Sequence, residues 1–180
     1  MALNATLHHF KVQLADADRH LYQALEFKAA RHPSESAAWL VARVLAYCLE
    51  YAEGIAFSRG LSEPDDPAIA VRDLTGALLS WIEVGLPDAA RLHRAAKAAP
   101  RVAVYAHRDP TAWLRSLADE RIHRAEALEL VAFDRGLIDA FAERLERRMV
   151  FDLSVSDRHL YLSLGDVNVD GALTSLALTA

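Results

Sequence analysis

The chain has 180 residues, 53% hydrophobic and 25% charged, with 20 Lys and Arg against 25 Asp and Glu for a net charge of −5. That size and balance suit one folded domain burying about two thirds of its unfolded surface, and exclude disordered, collagen-like and low-complexity classes. The acidic net charge excludes a broad, sequence-blind grip on nucleic acid or anionic membrane, so any such partner needs a local basic patch.

A single cysteine, Cys48, rules out an internal disulfide, and no CxxC pair offers a structural zinc site. Charges such as Arg43 and Glu50 interrupt every apolar run before it reaches the roughly 18 residues that span a bilayer. The start MALNATLHHFKV alternates like a strand and lacks the pattern of a signal peptide, so the expected location is the cytoplasm, with no membrane partner.

From Leu3 to Leu14 the apolar residues change phase near His8-His9, which predicts a bulge. Across the turn Asp16–Arg19, residues His20 to Ala30 place Leu21, Leu25, Phe27 and Ala29 on one face, giving an N-terminal hairpin. His32-Pro33-Ser34-Glu35 reads as the start of a helix whose apolar stripe runs from Ala37 to Ala52. Gly54, Gly60 and Ser62 to Pro67 form an acidic loop, followed by Ile69–Asp73 and a strand from Ala77 to Val84. That strand is apolar on both faces except at Ser80 and Glu83, as a central covered strand would be.

Further on, a helix runs from Pro87-Asp88 to about Ala98, a strand from Arg101 to Ala106, and a third helix from Thr111 to about Arg121. A strand from Leu128 to Phe133, a helix from Leu137 to Leu145 and a closing hairpin of Met149–Val155 with Leu160–Leu164 complete the pattern. The expected class is α/β, with alternating strands and helices between an N-terminal and a C-terminal hairpin. Residues 1–166 form the domain and 167–180 a loosely held tail.

No GxSxG, GKS/T, GxGxxG or HExxH motif is present, so the chemistry rests on carboxylates in unusual places. Glu83 stands on the same face as Leu79 and Trp81, where an unpaired carboxylate would cost several kcal/mol. A divalent cation would relieve that cost, and magnesium needs only one or two carboxylates plus water and phosphate oxygens. Asp73 and Glu83 are the candidate pair, provided that the chain reverses near Gly76; otherwise Glu83 reaches solvent or pairs with an arginine. Arg91, Arg94 and Lys97 recur at i, i+3 and i+6 in an acid-free stretch to Arg101. That stretch is the basic patch a phosphate backbone would need, or simply a solvated helix face.

The segments MALNATLHHFKVQLADADRHLY, ARHPSE, FSRGLSEPDDP, RDLTG and WIEVGLPDAARLHRA, in this order, resemble the bacterial YaeQ family over nearly the whole chain. The resemblance implies a variant of the PD-(D/E)XK (restriction-endonuclease-like) fold, an α/β core with one mixed sheet flanked by helices. It further implies Asp73 and Glu83 as ligands of Mg2+ or Mn2+, and Glu35 as a third ligand from the core helix. Gly85 stands where that pattern has a lysine, which leaves Arg91 and Arg94, with Lys97 third, to supply the cation. Arginine can stabilise charge there but cannot accept a proton. The expected function is magnesium-dependent, nuclease-like action on a phosphodiester. The alternative is a non-catalytic module that binds nucleic acid or protein on the same fold.

Overall fold

The structure, a computed structural model, describes residues 4–58 and 65–178. Strands β1 (Thr6–Asp16) and β2 (Leu21–Arg31) pair antiparallel in one unbroken register, from Thr6 opposite Arg31 to Asp16 opposite Leu21. The expected bulge is absent. His8, not Leu7, takes the inward position alongside Phe10, Val12 and Leu14. Its Nδ1 lies 2.9 Å from the Glu146 carbonyl, which offsets the burial of a polar ring, while Leu7 is left exposed.

Helix α1 (Ala37–Leu49) starts one turn later than the sequence suggested. Ser36 is extended and its hydroxyl accepts from the Trp39 amide, so it is the cap, and Glu35 stands outside the helix. At the other end the last turn carries no basic residue. Arg19, reaching over from the β1–β2 turn, donates to the Cys48 and Tyr51 carbonyls while Asp16 holds its Nε at 2.8 Å. A cation from elsewhere in the chain thus meets the negative end of the helix.

Next come β3 (Ile55–Phe57), read from the sequence as loop, then β4 (Ile69–Arg72) and β5 (Leu78–Val84). Gly60 and most of the expected acidic loop lie outside the described residues. Helix α2 (Ala89–Ala98) leads to β6 (Arg101–Ala106), and α3 (Thr111–Leu117) stops short of Arg121. Strand β7 (Glu129–Ala132), helix α4 (Arg135–Glu143), β8 (Arg148–Ser156) and β9 (His159–Leu164) follow close to the expected places.

The expected loose tail instead supplies β10 (Val167–Ala172) and β11 (Thr174–Leu176). The first extends the β8–β9 hairpin and the second crosses to pair with β7, so residues 167–176 join two sheets. Gly171 shows how tightly: a Cβ there would lie 2.5 Å from Cβ of Asp134, whose carboxylate caps α4. Gly171→Ala is expected to cost about 2 kcal/mol by forcing that cap aside. Urea denaturation measures it, and a loss within 0.5 kcal/mol would mean that β10 is not seated on α4.

There are two mixed sheets, where one was expected: β10-β9-β8-β1-β2 and β11-β7-β6-β5-β4-β3. Helices α1 and α4 lie between them in one core that takes Phe10, Phe151 and Leu153 from the first sheet and Ile69, Ile82 and Tyr105 from the second. Helices α2 and α3 cover the outer face of the second sheet through Leu92, Ala95, Trp113 and Leu117 packed on Trp81, Val102 and Val104. Strand β5 is therefore covered on both faces, as its composition suggested, and β5, β6 and β7 run parallel. Among the described residues no helix is long and apolar enough to cross a membrane.

Candidate functional site

In a sheet with parallel strands, ligands bind at the carboxyl ends, where the chain leaves each strand and the next helix begins. Here that end is built from Val84–Asp88 after β5, His107 after β6 and the start of α1. Glu83 is 4% exposed and faces α2, on the side of Trp81. Its Oε1 accepts from Trp81 Nε1 at 2.5 Å and from Arg91 Nε at 2.8 Å. Burial raises the Glu83 carboxyl above its ordinary range, against the opposing charge of Arg91. Arg91 also donates to the Asp66 carbonyl at 2.7 Å and lies 5.7 Å from the Trp81 ring. The strand's burial cost is thus met by an arginine, the simpler of the two sequence readings.

Asp73 does not join this site. Its Oδ1 accepts from the Thr75 hydroxyl and from the amides of Thr75 and Ala77, which closes the β4–β5 turn. The Thr75 hydroxyl, together with those amides, holds its carboxyl below the usual range. The chain does reverse at Gly76, as the shared-ion idea required, but at the wrong end. Leu78 begins β5 beside the turn and Glu83 lies five residues further on, about 17 Å away at roughly 3.3 Å per residue.

Glu35 is at the same end as Glu83 but across the sheet, on the α1 side. It is 7% exposed; Oε2 accepts from the His32 amide at 3.0 Å, and Oε1 is buried with no hydrogen-bond partner. Burial raises its carboxyl above the ordinary range, opposed by the His32 amide and by the Arg43 charge. The three expected ligands thus occupy one turn and two faces of a sheet. Among the described residues no group of three or more His, Cys, Asp or Glu could hold a metal ion. The expected magnesium centre does not fit these side chains.

Of the three basic candidates, Arg91 is on Glu83. Arg94 is exposed, with Asp65 3.8 Å away, and Lys97 sits about 9 Å further along the helix axis than Arg91, away from the strand ends. Arg101, at the end of the same basic stretch, begins β6 and so lies at the opposite, amino end of the parallel strands. There it bridges Glu50 and Glu129, and Tyr105 donates to the same Glu50. The basic run is therefore divided between two ends of the molecule.

Several residues that the sequence did not single out shape the site. Arg43 is 1% exposed, donates to the Ala68 and Ser58 carbonyls, and lies over the rings of Phe57 and Trp39 at 4.8 and 5.2 Å. Its signal was a lone charge on the apolar stripe of a helix. Trp39 Nε1 donates to the Val84 carbonyl at 3.2 Å. His107 is 7% exposed, its Nδ1 is buried without a partner, and burial pulls its pKa down to about 4. Gly85 lies between these rings, with φ +106. That backbone conformation strains any side chain with a Cβ, so a lysine is disfavoured there for steric as well as sequence reasons.

The family description "YaeQ protein" matches residues 1–172. This chain belongs to the YaeQ family. It is 32% identical to YaeQ of Salmonella typhi over 177 residues and to YaeQ of Escherichia coli K12 over 180, with 97% of each chain covered in both comparisons. The crystal structure of the YaeQ protein from Xanthomonas axonopodis pv. citri matches with a TM-score of 0.87 at 27% identity, covering 97% of this chain and 99% of that one. The Pseudomonas syringae YaeQ structure gives 0.86 at 28% identity, with 96% of each chain covered. The fold of these two YaeQ structures is thus shared over nearly the whole chain.

Proposed function

We propose that this YaeQ protein is a non-catalytic module that binds a phosphodiester chain at the carboxyl ends of β5 and β6, on a nuclease-like fold that has exchanged its metal for an internal cation. The observation that carries this reading is the buried Glu83–Arg91 pair, in which a guanidinium meets the charge that a divalent ion would otherwise neutralise. Gly85 supports it, because no lysine stands beside Glu83 to activate water. Among the described residues, exposed Arg94 on α2 and exposed Arg108 beyond β6 are the cations that would meet phosphate oxygens.

Fluorescence anisotropy with labelled single- and double-stranded DNA and RNA tests the proposal. Binding should fall steeply with salt, persist in EDTA, and weaken about tenfold in an Arg94→Glu, Arg108→Glu variant, with no cleavage in magnesium or manganese. Cleavage that requires the metal and disappears in Glu83→Gln would reverse the conclusion in favour of a nuclease. One observation favours that second reading: the partnerless buried oxygen of Glu35, where a cation would relieve the cost of burial. On that reading Glu35→Gln abolishes the metal-dependent cleavage, whereas on the first reading it leaves binding unchanged.

A further inference from the structure

The first sheet ends in β2, whose outer side meets no strand among the described residues. Outer strands are sticky because half of their amides and carbonyls point away from the sheet, and proteins usually blunt them with short length, proline, bulges or isolated lysines. The other three sheet edges are short: β10 has six residues, β3 and β11 three each. Strand β2 has eleven, with no proline and no break in its register against β1. Its exposed face carries Tyr22, Ala24, Glu26, Lys28 and Ala30. Lys28 has no ion-pair partner among the described residues, and Glu26 meets His9 and Lys11 through Oε1 only.

We propose that β2 is a self-recognition edge, at which two copies of this chain pair antiparallel about a two-fold axis through Phe27 and join their five-stranded sheets into one. The register follows from pleat and charge. In a continuous sheet, residues facing each other lie on the same side, so an antiparallel two-fold pair must be centred on a residue. Centred on Glu26, the pair sets two carboxylates directly opposite each other, which is repulsive. A centre at Leu25 leaves Glu26 facing Ala24 and Lys28 facing Tyr22. With Phe27 at the centre, Glu26 of each copy faces Lys28 of the other, twice by symmetry. The small Ala24 and Ala30 then face each other on the same side, and Leu25 faces Ala29 on the other. A lysine that would discourage unrelated strands becomes a specificity element for this sequence, because its complement stands two residues away on the same face.

Sedimentation equilibrium of the full chain over a wide concentration range tests the proposal. The wild type should show a reversible monomer–dimer equilibrium. Lys28→Glu should weaken it at least tenfold, and the double variant Glu26→Lys, Lys28→Glu should restore it, because the exchanged charges again face each other. Hydrogen exchange of the β2 amides in the wild type should slow as concentration rises, a reading that needs no variant to fold. A monomer at all concentrations with unchanged β2 exchange, a dimer indifferent to Lys28→Glu, or a double variant no better than the single one would each overturn the proposal. Loss of dimer without loss of the salt-dependent phosphodiester binding above separates this inference from the proposed function, which uses the far sheet.

Discussion

Arg43→Ala is expected to lower the unfolding free energy by about 4 kcal/mol, among the largest single effects in the molecule. The guanidinium is sealed between α1 and the β3–β4 connection, with no carboxylate within ion-pair distance among the described residues. Burial lowers its proton affinity, and only the distant Glu35 charge opposes this. Removing it deletes packing against Trp39 and Phe57, which leaves a cavity, and takes charged donors from the Ser58 and Ala68 carbonyls. Arg43→Met separates the two losses. It refills most of the volume but supplies no donor, so about half of the penalty should remain. The Ala68 carbonyl still accepts from the Ser58 amide at 3.2 Å, which limits the residual cost. Urea denaturation of both variants measures the difference; a loss below 1 kcal/mol in Arg43→Ala would show that the arginine is a passenger rather than a tie between α1 and the second sheet.

The second large effect is on acid stability. His107 is held neutral in the folded chain, with its pKa pulled to about 4 by burial and secondarily by the Arg108 charge, against about 6.5 when unfolded. A base whose folded pKa is depressed protonates first in the unfolded state, so stability is intact above pH 6.5 and declines as pH falls towards 4. The full difference corresponds to up to about 3 kcal/mol, less to the extent that water reaches the ring from the strand ends. Glu83 and Glu35 act with the opposite sign: their folded carboxyls are raised by burial, so taking up a proton as pH falls relieves burial and favours the folded state. The net profile should therefore fall as pH drops below 6.5, less steeply than His107 alone would give because the two carboxyls oppose it. Thermal unfolding followed across this range in the wild type and in His107→Phe checks the assignment. The decline that sets in just below pH 6.5 should disappear in the variant, and a slope that persists there would place the titrating group elsewhere.

Most elements were legible because each carries a local pattern. The stripe of α1, the exact span of β6, the twice-covered composition of β5 and the two hairpins follow from periodicity and turn residues. Errors arose where the local pattern was weak or misleading. Strand β3 has only three residues, too few to show alternation, and β10 and β11 are polar enough to resemble a tail. The His8-His9 phase change looked like a bulge because the reading assumed that Leu7 must be inside.

The candidate site was legible in part. Glu83 and Arg91 were both chosen, and they do meet, because an acid inside an apolar strand must find a counter-charge and the following helix is the nearest source. Asp73 was the reasonable error. The distance along the chain allowed it to approach Glu83, but the position of the turn decided which end of β5 it reached. Asp66 went unnoticed although the pairing of Ile69 with Ile82 brings its carbonyl to Arg91 at the Glu83 end.

The opening charge count keeps its force in a narrower form. Sequence alone determined that the chain is net acidic, at −5, so that any contact with an anionic partner has to come from a local group of cations, since composition is fixed before folding. It also determined most of the helices and the longer strands, whose apolar spacing is a property of neighbours along the chain. Only the tertiary structure decided which carboxylates share an end, which arginine is spent inside and which faces solvent. Those outcomes depend on strand register and on which face of a sheet a helix covers, and both are set by contacts between residues far apart in the chain.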